Sequence, residues 1–216
     1  MILWTISDTK HLLNVRGINK VFEEIAFYIR ESYEKWDSFE KQERIATYTE
    51  DGPLELMPIS DGYFYAFKYV NCHNKNPSSF NMLSVVGVGM LSSCTTGIPL
   101  LFSEMTILTA LRTAVTSALV ASYLMPPASK TMALIGNGAQ CEFQILAFHT
   151  LCNITTFHIY DIDKKASRKV KENLSSMNII IFDSVRDAVK NADIITTCTN
   201  SEGFCRILED EWLPEF

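Results

Sequence analysis

Thr131-Met132-Ala133-Leu134-Ile135-Gly136-Asn137-Gly138-Ala139-Gln140-Cys141 is the stretch that decides the fold. Five uncharged residues form a short apolar strand, and two glycines follow before Gln140 to Leu151 takes up helical spacing. Gly136 permits a tight turn, and Gly138 lets the main chain approach a pyrophosphate. The start of the helix then offers unpaired N–H groups and its positive dipole end to phosphates. The third position of this fingerprint is usually Gly or Ala; here it is Cys141, small but imperfect. An ordinary strand-to-helix turn would explain the glycines alone, so the flanking sequence has to discriminate.

Downstream, the pattern alternates. Thr155 to Tyr160 reads as a strand, Asp163 to Leu174 as a helix with Ala166, Val170 and Leu174 on one face, and Ile179 to Phe182 as a third strand. Ser184 to Asn191 opens with a capping-box pattern and reads as a short helix, and Ile194 to Cys198 is a fourth strand. Strands alternating with helices predict a parallel α/β sheet. Asp161 ends the second strand, 23 residues after Gly138, near the spacing of about 20 at which a carboxylate meets a ribose 2′-OH. Such a carboxylate repels a 2′-phosphate, so NAD is expected over NADP; a helix cap is the alternative role for Asp161. A six-stranded doubly wound sheet needs two further strands, and only 18 residues follow Cys198. Either the Rossmann-type sheet is four-stranded or it is incomplete.

Upstream, Leu108, Leu111, Val115, Leu119 and Tyr123 give one apolar face to a long helix that Ser103 or Thr106 could cap and that Pro126-Pro127 ends. Val21 to Trp36 has helical spacing. Ile45–Thr49, Leu54–Pro58, Tyr63–Val70, Ser84–Leu91 and Ile98–Phe102 read as closely spaced strands of an antiparallel or mixed sheet. The expected division is an α+β domain over residues 1–125 and a nucleotide-binding domain over residues 126–216.

Composition narrows the function classes. The chain is 47% hydrophobic and 20% charged, enough to bury a core. A net charge of −6 without a basic run argues against a nucleic-acid partner. The Arg168 to Lys171 cluster reads as a solvated helix face. None of the six cysteines pairs at CxxC spacing, so no metal site is expected, and free thiols point to the cytoplasm. Residues 1–13 lack the apolar run of a signal peptide. The most apolar stretch, Leu83 to Phe102, is broken by Ser92 to Gly97 and by Pro99, so it reads as two strands and a turn and not as a membrane span.

Four segments carry a resemblance: Glu55-Leu56-Met57-Pro58, Ala66-Phe67-Lys68-Tyr69-Val70-Asn71, Thr109-Ala110-Leu111-Arg112-Thr113-Ala114, and Ala133-Leu134-Ile135-Gly136-Asn137-Gly138-Ala139-Gln140. Together they resemble the ornithine cyclodeaminase and mu-crystallin family from about Ile25 to Leu213. The resemblance implies an NAD-dependent enzyme, a homodimer, that converts L-ornithine to L-proline and ammonia. NAD⁺ takes a hydride from the α-carbon, the δ-amine closes on the resulting imine, ammonia leaves, and the hydride returns.

The resemblance also assigns roles. Arg44, Lys68 and Arg112 match positions that hold the substrate carboxylate, for which fixed cations are suited. Glu55 matches a carboxylate near the substrate amine, and with Lys68 is the expected catalytic pair. Ser84, Arg112, Gly136, Gly138, Ala139, Gln140, Asp161 and Thr199 match cofactor contacts. Each has a plainer alternative: structural ion pairs for Lys68 and Arg112, surface charges for Arg44 and Glu55, ordinary strand hydroxyls for Ser84 and Thr199. Ser84 and Cys72 stand where the family pattern has Thr and Gly. Family members continue into a Gly-Gly-Asp segment bearing a catalytic acid/base, which this sequence lacks, so it is read as C-terminally truncated. Ketimine reductase or amino-acid dehydrogenase activity, or a non-catalytic remnant, are the competing readings.

Overall fold

In the computed structural model, residues 1–200 and 205–213 are described. The chain forms two compact units, Met1–Leu111 and Arg112–Phe216. The division falls inside the long helix, not at its end near residue 125, because the first turn of that helix is fastened to the preceding strands.

The first unit runs β1 (Ile2–Trp4), α1 (Ile6–Arg16), α2 (Ile18–Glu34), β2 (Glu40–Lys41), β3 (Ile45–Thr49), β4 (Gly52–Ser60), β5 (Phe64–Asn71), α3 (Asn76–Phe80), β6 (Gly87–Ser93) and β7 (Pro99–Glu104), and leads into α4 (Thr106–Leu124). Its seven strands form a mixed sheet in the order β1-β7-β6-β5-β4-β2, with β3 also paired to β4. All pairings are antiparallel except β1 on β7. Helix α2 buries Val21, Phe22 and Ala26 along one stripe, the i, i+1, i+5 face of its amphipathic pattern.

Two elements at the N-terminus, β1 and α1, were not expected from the sequence. Thr5 and Asp8 form a reciprocal capping box that starts α1. The Thr5 hydroxyl bonded to Asp8 holds that carboxyl below its ordinary value. Helix α4 is capped by neither Ser103 nor Thr106. Glu104 Oε2 accepts from the Thr106 and Ile107 amides at 2.8 and 2.9 Å. Its other oxygen accepts from the Thr9 hydroxyl at 2.7 Å, and Trp4 Nε1 donates to that hydroxyl at 2.9 Å. A buried carboxylate thus satisfies orphan donors of one helix and is itself secured by another.

By length and composition α4 is apolar enough to cross a bilayer. Leu111, Ala114, Val115, Ala118 and Leu119 are nevertheless buried within the protein.

The second unit continues from α4 through β8 (Thr131–Ile135), α5 (Cys141–Cys152), β9 (Thr156–Tyr160), α6 (Lys164–Asn173), β10 (Asn178–Ile181), α7 (Val185–Val189) and β11 (Ile194–Thr197). The sheet is parallel throughout, in the order β10-β9-β8-β11. Among the described residues this is a four-stranded sheet of the Rossmann type. Strand β8 is central, and Met132 to Ile135 are buried, as an uninterrupted apolar run in a doubly covered parallel strand should be. Asp163 and Ser184 cap α6 and α7 through their side chains. The chain steps outward from β8 to β10, then returns to pair β11 on the other side of β8. Loops at the carboxyl ends of β8 and β11 therefore diverge, which is where open α/β sheets bind ligands.

Candidate active site

The glycine turn lies at that divergence. Gly136 has φ +97°, and a Cβ there would lie 2.7 Å from the Cys198 carbonyl carbon and 2.9 Å from the Thr199 nitrogen. Both the left-handed backbone and the close approach require glycine. The Gly136 N–H donates to Tyr160 O at 2.9 Å, and the Cys198 N–H donates to Ile135 O at 2.7 Å, so the turn is locked to both neighbouring strand ends. Gly138 differs. It is exposed, and a Cβ on it would meet nothing within 4 Å among the described residues. Its value is to leave open the space in front of the helix start, where Ala139 is exposed and Gln140 is half-buried. The Gln140 Oε1 atom is buried without a hydrogen-bond partner among the described residues.

Asp161 stands beside this turn. Its Oδ2 accepts from the Asn137 N–H at 2.5 Å, and its Oδ1 accepts from the Asp163 N–H at 2.8 Å. The cap of α6 is Asp163, so Asp161 does not serve as the helix cap. With each oxygen bonded once, the carboxylate retains lone pairs for a further donor. Open space at Gly138, an anchored carboxylate and a helix start together fit an adenine dinucleotide. Burial pushes the Cys198 thiol up to about 11 and Cys141 higher still, so neither is a nucleophile near neutral pH.

In the first unit, sheet register gathers the polar candidates. Glu55 pairs with Val70 and Ala46, and Lys68 pairs with Met57 and Gly89. Alternation along the strands therefore puts Arg44, Glu55 and Lys68 on one face. Arg44 Nη1 donates to Glu55 Oε1 at 2.9 Å, the Arg44 side chain being largely exposed and that of Glu55 mostly covered. Gly89, opposite Lys68, is filled from outside: a Cβ there would lie 2.6 Å from Met105 Cε and 3.1 Å from Phe67 O. Neither Gly89 nor Met105 stands out in the sequence.

Arg112 projects from the exposed side of α4, although its neighbours Leu111, Ala114 and Val115 are buried. Ser84 precedes β6 in a loop and is not in a strand; its carbonyl accepts from the His73 N–H at 2.9 Å. Thr199 is exposed in the loop after β11. Asn137 is the residue that sequence reading passed over. Its buried side chain joins the turn to two helices.

Comparison with known proteins agrees with this architecture. The ornithine cyclodeaminase of Agrobacterium fabrum is 49% identical over 199 residues, which is 91% of this chain and 56% of that protein. That of Brucella abortus is 45% identical over 196 residues, 90% of this chain and 54% of that protein. The chain thus spans about half the length of these relatives. A solved structure of Thermococcus litoralis Δ1-pyrroline-2-carboxylate reductase, in complex with NADH and L-proline, superposes with a TM-score of 0.87 at 27% identity, covering 99% of this chain and 66% of that one. The model of the ornithine cyclodeaminase/mu-crystallin family matches residues 8–215, and the chain belongs to that family.

Proposed function

We propose that this protein is an NAD-dependent cyclodeaminase that converts L-ornithine to L-proline and ammonia. The observation that carries the reading is the glycine turn, anchored to Asp161 and open at Gly138, in a chain with 45–49% identity to ornithine cyclodeaminases. When bound, NAD⁺ supplies the acceptor for hydride from the α-carbon and gives it back to the cyclic imine.

The roles of the chain's own groups follow from their chemistry. Asp161 accepts a hydrogen bond from the adenosine ribose and disfavours a 2′-phosphate. The start of α5, with Ala139 and Gln140, receives the pyrophosphate, and Ser84 and Thr199 supply further cofactor contacts. Lys68, Arg44 and Arg112 neutralise the substrate carboxylate. Glu55 lies beside the amines, where it steers a cationic substrate and moves protons at nitrogen. Its ion pair with Arg44 keeps it from repelling the carboxylate that Arg44 also attracts.

The protein is also proposed to act as a homodimer through the first unit's sheet. Ile45, Leu56, Tyr69 and Val88 lie in one row across four strands, and Ile45 and Tyr69 are exposed. Such a row is the kind of apolar patch that a second copy covers. Light scattering tests this: a monomeric mass at micromolar concentration overturns it.

A second reading is reduction of a cyclic imine, favoured by the likeness to the pyrroline-carboxylate reductase structure. Assay separates the two. The intact protein, given NAD⁺ and L-ornithine, should release proline and ammonia in equal amounts without net NADH. Glu55→Gln should lower the rate about 10²-fold or more. Reduction of Δ1-pyrroline-2-carboxylate by NADH with no turnover of ornithine would replace the first reading by the second. No activity with either would leave a non-catalytic protein.

A further inference from the structure

Asn137 sits between the two glycines of the turn, yet its side chain points inward and is only 4% exposed. Its carboxamide is used at both ends. Oδ1 accepts from the Ser167 hydroxyl at 2.7 Å, and Nδ2 donates to Cys141 Sγ at 3.5 Å. Ser167 lies at the end of the first turn of α6 and is 1% exposed, while Cys141 opens α5. The main-chain N–H of the same Asn137 donates to Asp161 at 2.5 Å. One residue therefore links the turn, both helices and the carboxylate at the end of β9.

We propose that Asn137 and Ser167 are positioning residues for the dinucleotide: their buried hydrogen bond fixes the turn so that the Asn137 N–H aims the Asp161 carboxylate at the ribose. This rests on the cofactor reading above and extends it to two residues that touch no ligand. Three physical points support it. A carboxamide buried on α6's side of the turn is costly unless paired, and Ser167 provides the pairing at Oδ1. The turn follows a left-handed Gly136, so without a second anchor its amide plane can rotate. The orientation of Asp161 depends on that amide, because one of its two oxygens is held there. Fixing the turn before the ligand arrives removes an ordering cost from binding. It also fixes the carboxylate where a 2′-phosphate would be repelled, so the same hydrogen bond should contribute to selectivity.

Ser167→Ala tests this in the intact protein. It removes the hydroxyl, adds no volume and suits a helix. The expected result is a rise of about tenfold in the Kd for NADH, since a buried hydrogen bond lost from one side costs about that factor or more. The Kd for NADPH should rise by a smaller factor, so the preference for NADH narrows, and kcat at saturating NAD⁺ should not change. Ser167→Thr, which keeps the hydroxyl, should retain the wild-type preference. An NADH Kd within twofold of wild type in the Ala variant sinks the proposal, as does equal weakening of NADH and NADPH. If the wild-type protein binds neither dinucleotide, the cofactor reading fails by itself. The network is then judged in the free protein, where the Asn137 amide should exchange its hydrogen faster in Ser167→Ala; unchanged exchange overturns it.

Discussion

Gly136 and Cys198 meet backbone to backbone, with the position of a Cβ on the glycine lying 2.7 Å from the Cys198 carbonyl carbon. The end of β8 and the end of β11 are thereby held at a separation that no side chain can share. Gly138, two residues on, has open space where its own side chain would be. The two glycines of one turn thus carry different loads, the first structural and the second reserved for what binds.

Substitution should separate those loads. Gly136→Ala combines a left-handed φ with a main-chain clash, and a loss of about 2–4 kcal/mol is expected. Gly138→Ala should change stability by less than about 0.5 kcal/mol yet weaken NADH binding about tenfold or more, by placing a methyl where the pyrophosphate approaches. Thermal melts with and without NADH read both effects. A Gly136→Ala protein that melts like wild type contradicts the packing, and undiminished NADH affinity in Gly138→Ala contradicts the phosphate site.

Glu104 is expected to matter to stability more than any exposed ion pair in the first unit. Glu104→Ala leaves the amides of Thr106 and Ile107 without their cap and the Thr9 hydroxyl without its acceptor. A cost of about 2–3 kcal/mol follows from a lost cap and a lost charged hydrogen bond. Breaking the exposed Lys20–Glu23 pair should cost well under about 1 kcal/mol. Urea titration of both variants decides, and equal midpoints would refute the ranking.

The cysteines should divide by burial. Cys94 and Cys205 are exposed, whereas Cys141 and Cys152 are buried. Burial also pushes Cys152 and Cys198 up to about 11. At about pH 7.5 fewer than about one such thiol in a thousand is ionised, and the thiolate is the reactive form. Iodoacetamide followed by peptide mass mapping should find Cys94 and Cys205 modified first, and Cys141 and Cys152 only after denaturation. Early labelling of Cys141 would mean that the turn opens.

What the sequence made legible was the chemistry that only certain residue types can perform. Gly136, Gly138 and Asp161 announce a turn, a clearance and an acceptor because no other residue supplies them as well. The alternation after residue 130 announces the parallel sheet for the same reason of type and period. Asn137 stayed hidden because its partner, Ser167, comes 30 residues later and neither residue is unusual where it stands. The cap of α4 is not legible locally, because Ser103 and Thr106 are better caps by residue type and Glu104 is preferred only once Thr9 is beside it. Strand β1 is three residues long and α1 has no apolar stripe, so neither has a period to read; their stability comes from contacts with β7 and with Glu104. Arg44 and Glu55 are separate charges in the sequence, and only the β3–β4 pairing makes them partners.

The parallel pairing of β1 with β7 has a consequence for how the chain folds as it leaves the ribosome. Ile2 to Trp4 must wait for Leu101 to Ser103, and Thr9 for Glu104, 95 residues later. Contacts of such long sequence separation carry a large loop-closure entropy and form late. The β3–β4–β5–β6 hairpins can assemble as they emerge, whereas the first strand remains an unsatisfied edge until the last strand of its sheet has been synthesised. During that interval the backbone N–H and C=O groups of Ile2 to Trp4 lack their strand partners, so the first unit's sheet closes only after Leu101 to Ser103 have been made.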